Sequence, residues 1–229
     1  MLSDTAINTV NNRVLARESG PYLVIAGNIG VGKSSLTERL AAALGWLPVY
    51  EAVDENPYLA DFYADMPRWG FQSQIFFLSR RLKLQTELLL RSGGLVQDRS
   101  VYEDAEVFAA NLHRQGALDG RDYATYRALY DGLCELLPAP DLLVYLRSGV
   151  PTLIDRITLR GRAFEQHIAP DYLDHLNTLY DGWIARWRLC PVLTIQADEL
   201  DFVRDPDHLQ LIISKIQTRL ATKADSINP

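Results

Sequence analysis

Four residues of this chain have the types and spacing to hold a phosphate: Gly27, Gly32, Lys33 and Ser34, in the order G-x-x-x-x-G-K-S. Glycines let successive backbone N–H groups curl around the anion, a helix starting behind them points its positive end at it, and a lysine adds a full charge. The stretch Gly27, Asn28, Ile29, Gly30, Val31, Gly32, Lys33, Ser34, Ser35 therefore reads as a cradle for nucleotide phosphates, with the Ser34 hydroxyl offered to Mg2+. Transfer of a phosphoryl group to a hydroxyl also needs a base, a metal-holding acid and mobile cations. Glu51 follows a short apolar run and is assigned the base; Asp98 closes another and is assigned to Mg2+ with Ser34. Arg99, next to it, orients Glu51 or the acceptor hydroxyl. Arg156 and Arg160 are one helical turn apart, Arg162 follows, and Gly161 supplies a hinge, the makings of a lid over a triphosphate. Crowded like charges repel, so this cluster asks for an anion.

The elements that must position these groups can be read from periodicity. Apolar runs at 22–26, 47–50, 95–97, 141–146 and 192–195 have the length and branching of buried parallel strands. Between them, helical patterns are expected over 35–44, 57–63, 71–91, 102–114, 119–137, 151–159, 170–189 and 206–220, with Met66-Pro67 breaking the chain ahead of the longest. Strands alternating with helices predict an α/β fold, a five-stranded parallel sheet flanked by helices with ligands along the strand ends. Glu51 is expected one sheet position from the phosphate loop. The expected organisation is a flexible arm over 1–20, one domain over 21–222 and a tail over 223–229.

Composition narrows the function. The 229 residues are 48% hydrophobic with a net charge of −6, which suits a globular protein and disfavours a nucleic-acid polymer as partner. Cys134 and Cys190 stand alone in apolar segments, as buried thiols of a reducing compartment do, and no run approaches membrane-spanning length, so a cytoplasmic location without membrane contact is expected. The Asn-Lys-x-Asp guanine signature of GTPase switches is absent, and a motor needs more domains than this length allows. A small-molecule kinase is left.

Taken together, GNIGVGKSS from Gly27, EAVDENPYL from Glu51 and DRSVYED from Asp98 resemble the deoxyribonucleoside kinase family, and within it the bacterial deoxyadenosine and deoxyguanosine kinases. The resemblance spans about residues 22–220. It implies the P-loop kinase fold, ATP and Mg2+, Glu51 as base for the 5′-hydroxyl, and Lys33, Arg99, Arg156, Arg160 and Arg162 as the catalytic cations. Many animal members carry Glu where this chain has Asp98. Tyr63 and Gln74 keep the family's eleven-residue interval, and Arg81 follows seven later; Gln72 is a rival to Gln74. By the same matching Tyr63 and Glu165 bracket the sugar 3′-hydroxyl, while Gln74, Arg81 and Asp104 read the base. The Arg81–Asp104 pair accompanies purine or cytosine recognition in the family. ADELDF, with Glu199, Asp201 and Phe202, resembles the loop around the donor's base. A dimer, with itself or a paralogous subunit, is implied through helices 71–91 and 119–137, whose apolar stripes serve equally as core. The expected activity is phosphorylation of deoxyadenosine or deoxyguanosine, with deoxycytidine a further candidate. A nucleoside monophosphate kinase of thymidylate type and a non-catalytic nucleotide-binding subunit are the alternatives.

Overall fold

Strand β1, Tyr22–Gly27, is buried along its whole length because it has a strand on either side and helices on both faces. In a computed structural model describing residues 20–50, 55–88, 91–165 and 168–227, it pairs in parallel with β3 (Leu95–Asp98) and β4 (Leu142–Arg147). The edges are β2 (Leu47–Val49), beside β3, and β5 (Val192–Gln196), beside β4, giving the order β2-β3-β1-β4-β5. Burial follows this order: β1 and β3 are buried throughout, whereas β5 alternates as an edge strand with one covered face does. The chain leaves β1 toward one edge and β4 toward the other, so a crevice opens beyond the carboxyl end of β1.

That order corrects one expectation. The strand leading to Glu51 does not adjoin β1, since β3 lies between them. Sequence order alone does not say at which edge a strand joins.

The helices follow their local signals. Helix α1 (Lys33–Leu44) starts at the phosphate loop and stops at Gly45, whose φ of 67° lies in the left-handed region that favours glycine. After α2 (Leu59–Ala64), helix α3 (Met66–Leu88) begins five residues before the expected 71. Pro67 does not break it: a proline in the first turn lacks an N–H that would be unsatisfied anyway, and the Asp65 carboxylate accepts the Arg68 N–H at 3.1 Å. Helix α4 is made of Val101–Glu103, a π-helical Asp104–Ala109 and Ala110–Arg114. Helix α5 (Gly120–Cys134) is capped by Asp119, which accepts the N–H groups of Arg121 and Asp122 at 2.9 and 2.8 Å. Helices α6 (Val150–Arg160), α7 (Pro170–Arg186) and α8 (Pro206–Ile227) follow, the last running on past 220.

The main core fills both faces of the sheet. A second cluster, Leu59, Phe62, Leu112, Ala117 and Leu118, anchors α2 as a cover over one end of the crevice. Among the described residues, no helix is long and apolar enough to cross a membrane.

Candidate active site

The phosphate loop owes its shape to glycines at two tight points. Gly27 has φ 147°, and a Cβ there would lie 2.5 Å from the Leu146 carbonyl oxygen; one on Gly30 would lie 2.8 Å from the Leu153 carbonyl oxygen. Only a hydrogen fits. Lys33 Nζ donates to the carbonyls of Gly27 and Asn28, at 2.8 and 3.0 Å, so its charge already faces the loop's concave side. Asn28 is spent on structure: its amide donates to Leu173 O and Asn177 Oδ1 at 2.8 and 2.9 Å, tying the loop to α7.

Because Ile25 on β1 is in register with Asp98 on β3, the acid ends next to the loop. The Ser34 hydroxyl donates to Asp98 Oδ2 at 2.5 Å, while Asp98 Oδ1 is buried without a hydrogen-bond partner. A buried carboxylate oxygen left over beside a hydroxyl suits a hard cation such as Mg2+. Among the described residues no group of three or more His, Cys, Asp or Glu is placed to hold a metal ion; a cation at Ser34 and Asp98 would take its other ligands from substrate phosphates and water.

At the end of β3, Arg99 adopts φ 63°, unusual for a residue with a side chain, and its guanidinium lies 4.2 Å from the centre of the Phe108 ring. Glu103, fully buried, accepts from Gly27 N at 3.2 Å, Ser100 N at 3.2 Å and the Tyr180 hydroxyl at 2.8 Å. Sequence reasoning passed over this residue. Its local signal was the Ser-x-x-Glu pattern at Ser100, a helix-capping arrangement.

Two cavities flank the loop. One, of about 280 Å³, is lined by Tyr63, Gln74, Asp98, Arg99, Asp104 and Glu165, with Phe62, Phe77, Phe108 and Tyr172 as apolar and aromatic walls that sequence reasoning did not select. The other, of about 750 Å³, is lined by the loop, Arg156 and the 198–204 segment, including Glu199, Asp201 and Phe202. Gly30, Lys33, Ser34, Arg160 and Arg162 border both. Gln74, not Gln72, faces the smaller cavity; Gln72 lies against Arg68. Gln74 Oε1 is buried with no hydrogen-bond partner. Arg81, behind the wall, donates to Asp104 at 3.0 Å, and each is only 3% exposed. Asp104 opens the π-helical stretch, the wider turn often found where a helix is shaped by a ligand site.

The three arginines behave differently. Arg160 and Arg162 both pair with the buried Glu165. The anion their crowding called for is thus supplied within the chain. Arg156 donates to Val31 O at 2.9 Å and Ala197 O at 2.8 Å, joining the phosphate loop to the segment behind it. Phe202 is buried, and its ring would meet a Cβ on Gly32 at 3.0 Å, so it backs the loop. Glu51, the assigned base, lies outside the described residues.

A model of the deoxynucleoside kinase family matches residues 23–221. The chain belongs to the deoxynucleoside kinase family. Among relatives of this kinase, a Bacillus subtilis deoxyadenosine/deoxycytidine kinase is 39% identical over 85% of this chain and 90% of its own. A Dictyostelium discoideum deoxyadenosine kinase is 37% identical over 92% and 84%. The M. mycoides deoxyadenosine kinase solved with the products dCMP and a flexible dCDP superposes with a TM-score of 0.76, at 30% identity over 86% of this chain and 98% of that one. The same enzyme with bound dATP gives 0.73 at 29% identity, over 85% and 98%. The fold of this kinase is therefore the P-loop kinase fold.

The buried Glu103 makes a stability prediction. Burial pushes its carboxyl from the ordinary 4.5 up to about 7, against the pull of Arg99, Lys33 and its hydrogen-bond donors Tyr180 and Gly27. Between those two values the unfolded chain gives up the proton first and binds fewer protons than the folded one, so this group's stabilisation is full below pH 4.5 and is lost as pH rises through 7. The Tm of wild type relative to Glu103→Gln should therefore fall between pH 5 and pH 8, by an amount corresponding to at most about 3 kcal/mol. Thermal unfolding across that range checks it, and a constant difference would contradict it.

Proposed function

We propose that this deoxynucleoside kinase transfers the γ-phosphoryl group of ATP to the 5′-hydroxyl of deoxyadenosine or deoxyguanosine, with deoxycytidine as a further acceptor. The observation that carries the reading is the pair of cavities meeting at one wall of Gly30, Lys33, Ser34, Arg160 and Arg162. A triphosphate laid along the loop from the larger cavity brings its last phosphorus to the mouth of the smaller one. There the acceptor hydroxyl waits, which is the in-line arrangement this chemistry needs.

In this reading Glu51 takes the 5′-hydroxyl proton and Arg99, held by the Phe108 ring, orients that hydroxyl. Tyr63 and Glu165 hold the sugar, while Glu199 and Asp201 border the donor's base. Ser34 and Asp98 would hold Mg2+, which neutralises phosphate charge when bound. Arg160 and Arg162 act as a lid that exchanges Glu165 for the transferring group; Arg156 anchors the loop they close on. One domain over residues 21–222 carries both sites, and we assign the enzyme to the cytoplasm. We assign dimer formation, homomeric or with a paralogous subunit, to the outer faces of α3 and α5, where Leu129 is 50% exposed.

The test is product analysis. ATP and deoxyadenosine or deoxyguanosine should give the 5′-monophosphate and ADP in equal amounts, dependent on Mg2+; a protein that binds both without turnover would refute the reading.

The lid carries its own prediction. Arg160→Lys and Arg162→Lys keep the charge but lose the planar fork, so each should lower kcat by about 10-fold to 10²-fold with nucleoside KM within a few fold. Loss of nucleoside affinity with kcat intact would contradict it.

A further inference from the structure

Glu103 is used neither to bind nucleoside nor to hold phosphate, yet it is the most completely buried carboxylate near the site, at 0% exposure. One oxygen accepts from Gly27 N and from the Tyr180 hydroxyl, and the other from Ser100 N. Three separate parts of the fold thus converge on one side chain: the start of the phosphate loop, the turn after Asp98 and the middle of α7. Burying a charge is costly without several donors, so three donors in one place mark a built arrangement.

What these donors do individually shows what the carboxylate controls. The Gly27 peptide that gives its N–H to Glu103 belongs to the residue whose carbonyl accepts Lys33 Nζ at 2.8 Å. The turn bound through Ser100 N follows directly on Arg99, whose φ of 63° is strained for a residue with a side chain and persists only when surrounding bonds hold it. Arg99 N donates to Ile25 O at 3.0 Å and Gln97 Nε2 to Arg99 O at 2.8 Å; the Ser100–Glu103 bond closes the set.

We infer that Glu103 is a positioning residue for phosphoryl transfer, a clamp that fixes the phosphate loop and Lys33 at a set distance from Asp98 and Arg99. It touches no substrate in this role. The inference rests on the kinase reading, and its test is arranged so that failure of the two is distinguishable: a wild type that phosphorylates nucleosides upholds the reading whatever the variants do.

The charged and titratable groups facing Glu103 come from the elements packed around it: the cations Lys33 at the start of α1 and Arg99 after β3, and the phenols Tyr180 on α7 and Tyr145 on β4. Glu103→Gln keeps the shape, removes the charge and sets an amide N–H₂ against one of its donors. At pH 8 it should lower kcat about 10-fold to 10²-fold, the scale of a lost charged hydrogen bond, with nucleoside KM within about 3-fold. At pH 6, below the value of about 7 to which burial pushes the wild-type carboxyl, the neutral form predominates, so the gap between wild type and variant should narrow by at least about 3-fold; comparing the two enzymes at each pH cancels the titrations they share. Tyr180→Phe removes one donor while leaving the ring packed, and should show the same split at about 3-fold in kcat. If Glu103→Gln does not fold, Tyr180→Phe decides alone. Wild-type kcat in a folded variant with only a lowered Tm, or a gap that does not change with pH, reduces Glu103 to a structural cap and overturns the inference.

Discussion

Thymidine should be phosphorylated with a kcat/KM at least about 10²-fold below that of deoxyadenosine or deoxyguanosine, the scale set by leaving buried polar groups unpaired. Arg81 and Asp104 form a buried ion pair at 3.0 Å behind the smaller cavity, and Asp104 reaches its lining. The pairing with Arg81 limits the cost of burying that carboxylate. A carboxylate accepts and cannot donate, so it favours a base with an exocyclic amine, which adenine, guanine and cytosine carry and thymine lacks, and disfavours a carbonyl there. Gln74 adds a buried, unpartnered carbonyl oxygen on the same wall. Replacing Arg81 with Met and Asp104 with Ala together should relax the preference toward thymidine. Asp104→Ala alone leaves Arg81 buried without its carboxylate and should chiefly lose activity. Steady-state kinetics over the four deoxyribonucleosides decide it, and equal use of thymidine and the purines would overturn the base-site assignment while leaving the kinase assignment standing.

The second large effect is expected at Glu51. Glu51→Gln should lower kcat by roughly 10² or more while nucleoside affinity stays within a few fold, because a general base acts in the transition state and contributes little to ground-state binding. The strand that delivers it, β2, ends at Val49 on the carboxyl-end side of the sheet, and Tyr50, next in sequence, already lines the smaller cavity. A variant with nearly normal kcat would remove Glu51 from the role.

The parts of the site that were legible in the sequence are those carried by local spacing. The phosphate loop is one, since its glycines, lysine and serine lie within eight residues and their shape is decided by their own backbone. Asp98 is another: a short apolar run ending in an acid places that acid at a strand's carboxyl end whatever the sheet order. The start of α3 is locally readable too, since Pro67 in the first turn is harmless where the same proline further inside a helix is a break. Contacts between distant segments were not legible. The carbonyls held by Arg156 lie 125 and 41 residues away, and Tyr180 is 77 residues from Glu103, so neither the anchoring role of Arg156 nor the burial of Glu103 left a local trace of its partner. The crowded arginines did ask for an anion. Nothing local showed that Glu165 would be placed to supply one.

The central claim is that the acceptor is a nucleoside hydroxyl, and its most direct measurement is ATP-dependent turnover with deoxyadenosine and deoxyguanosine set against their 5′-monophosphates and against thymidine 5′-monophosphate. In the smaller cavity Lys33, Arg99, Arg160 and Arg162 face the carboxylates Asp98, Asp104 and Glu165, with Arg160 and Arg162 both paired to Glu165, so charge is largely matched within the site and suits a neutral hydroxyl better than a second phosphate. The two nucleosides should therefore exceed every monophosphate in kcat/KM by about 10²-fold or more. Faster turnover of a monophosphate would contradict the account and place the chain's chemistry one phosphorylation step later.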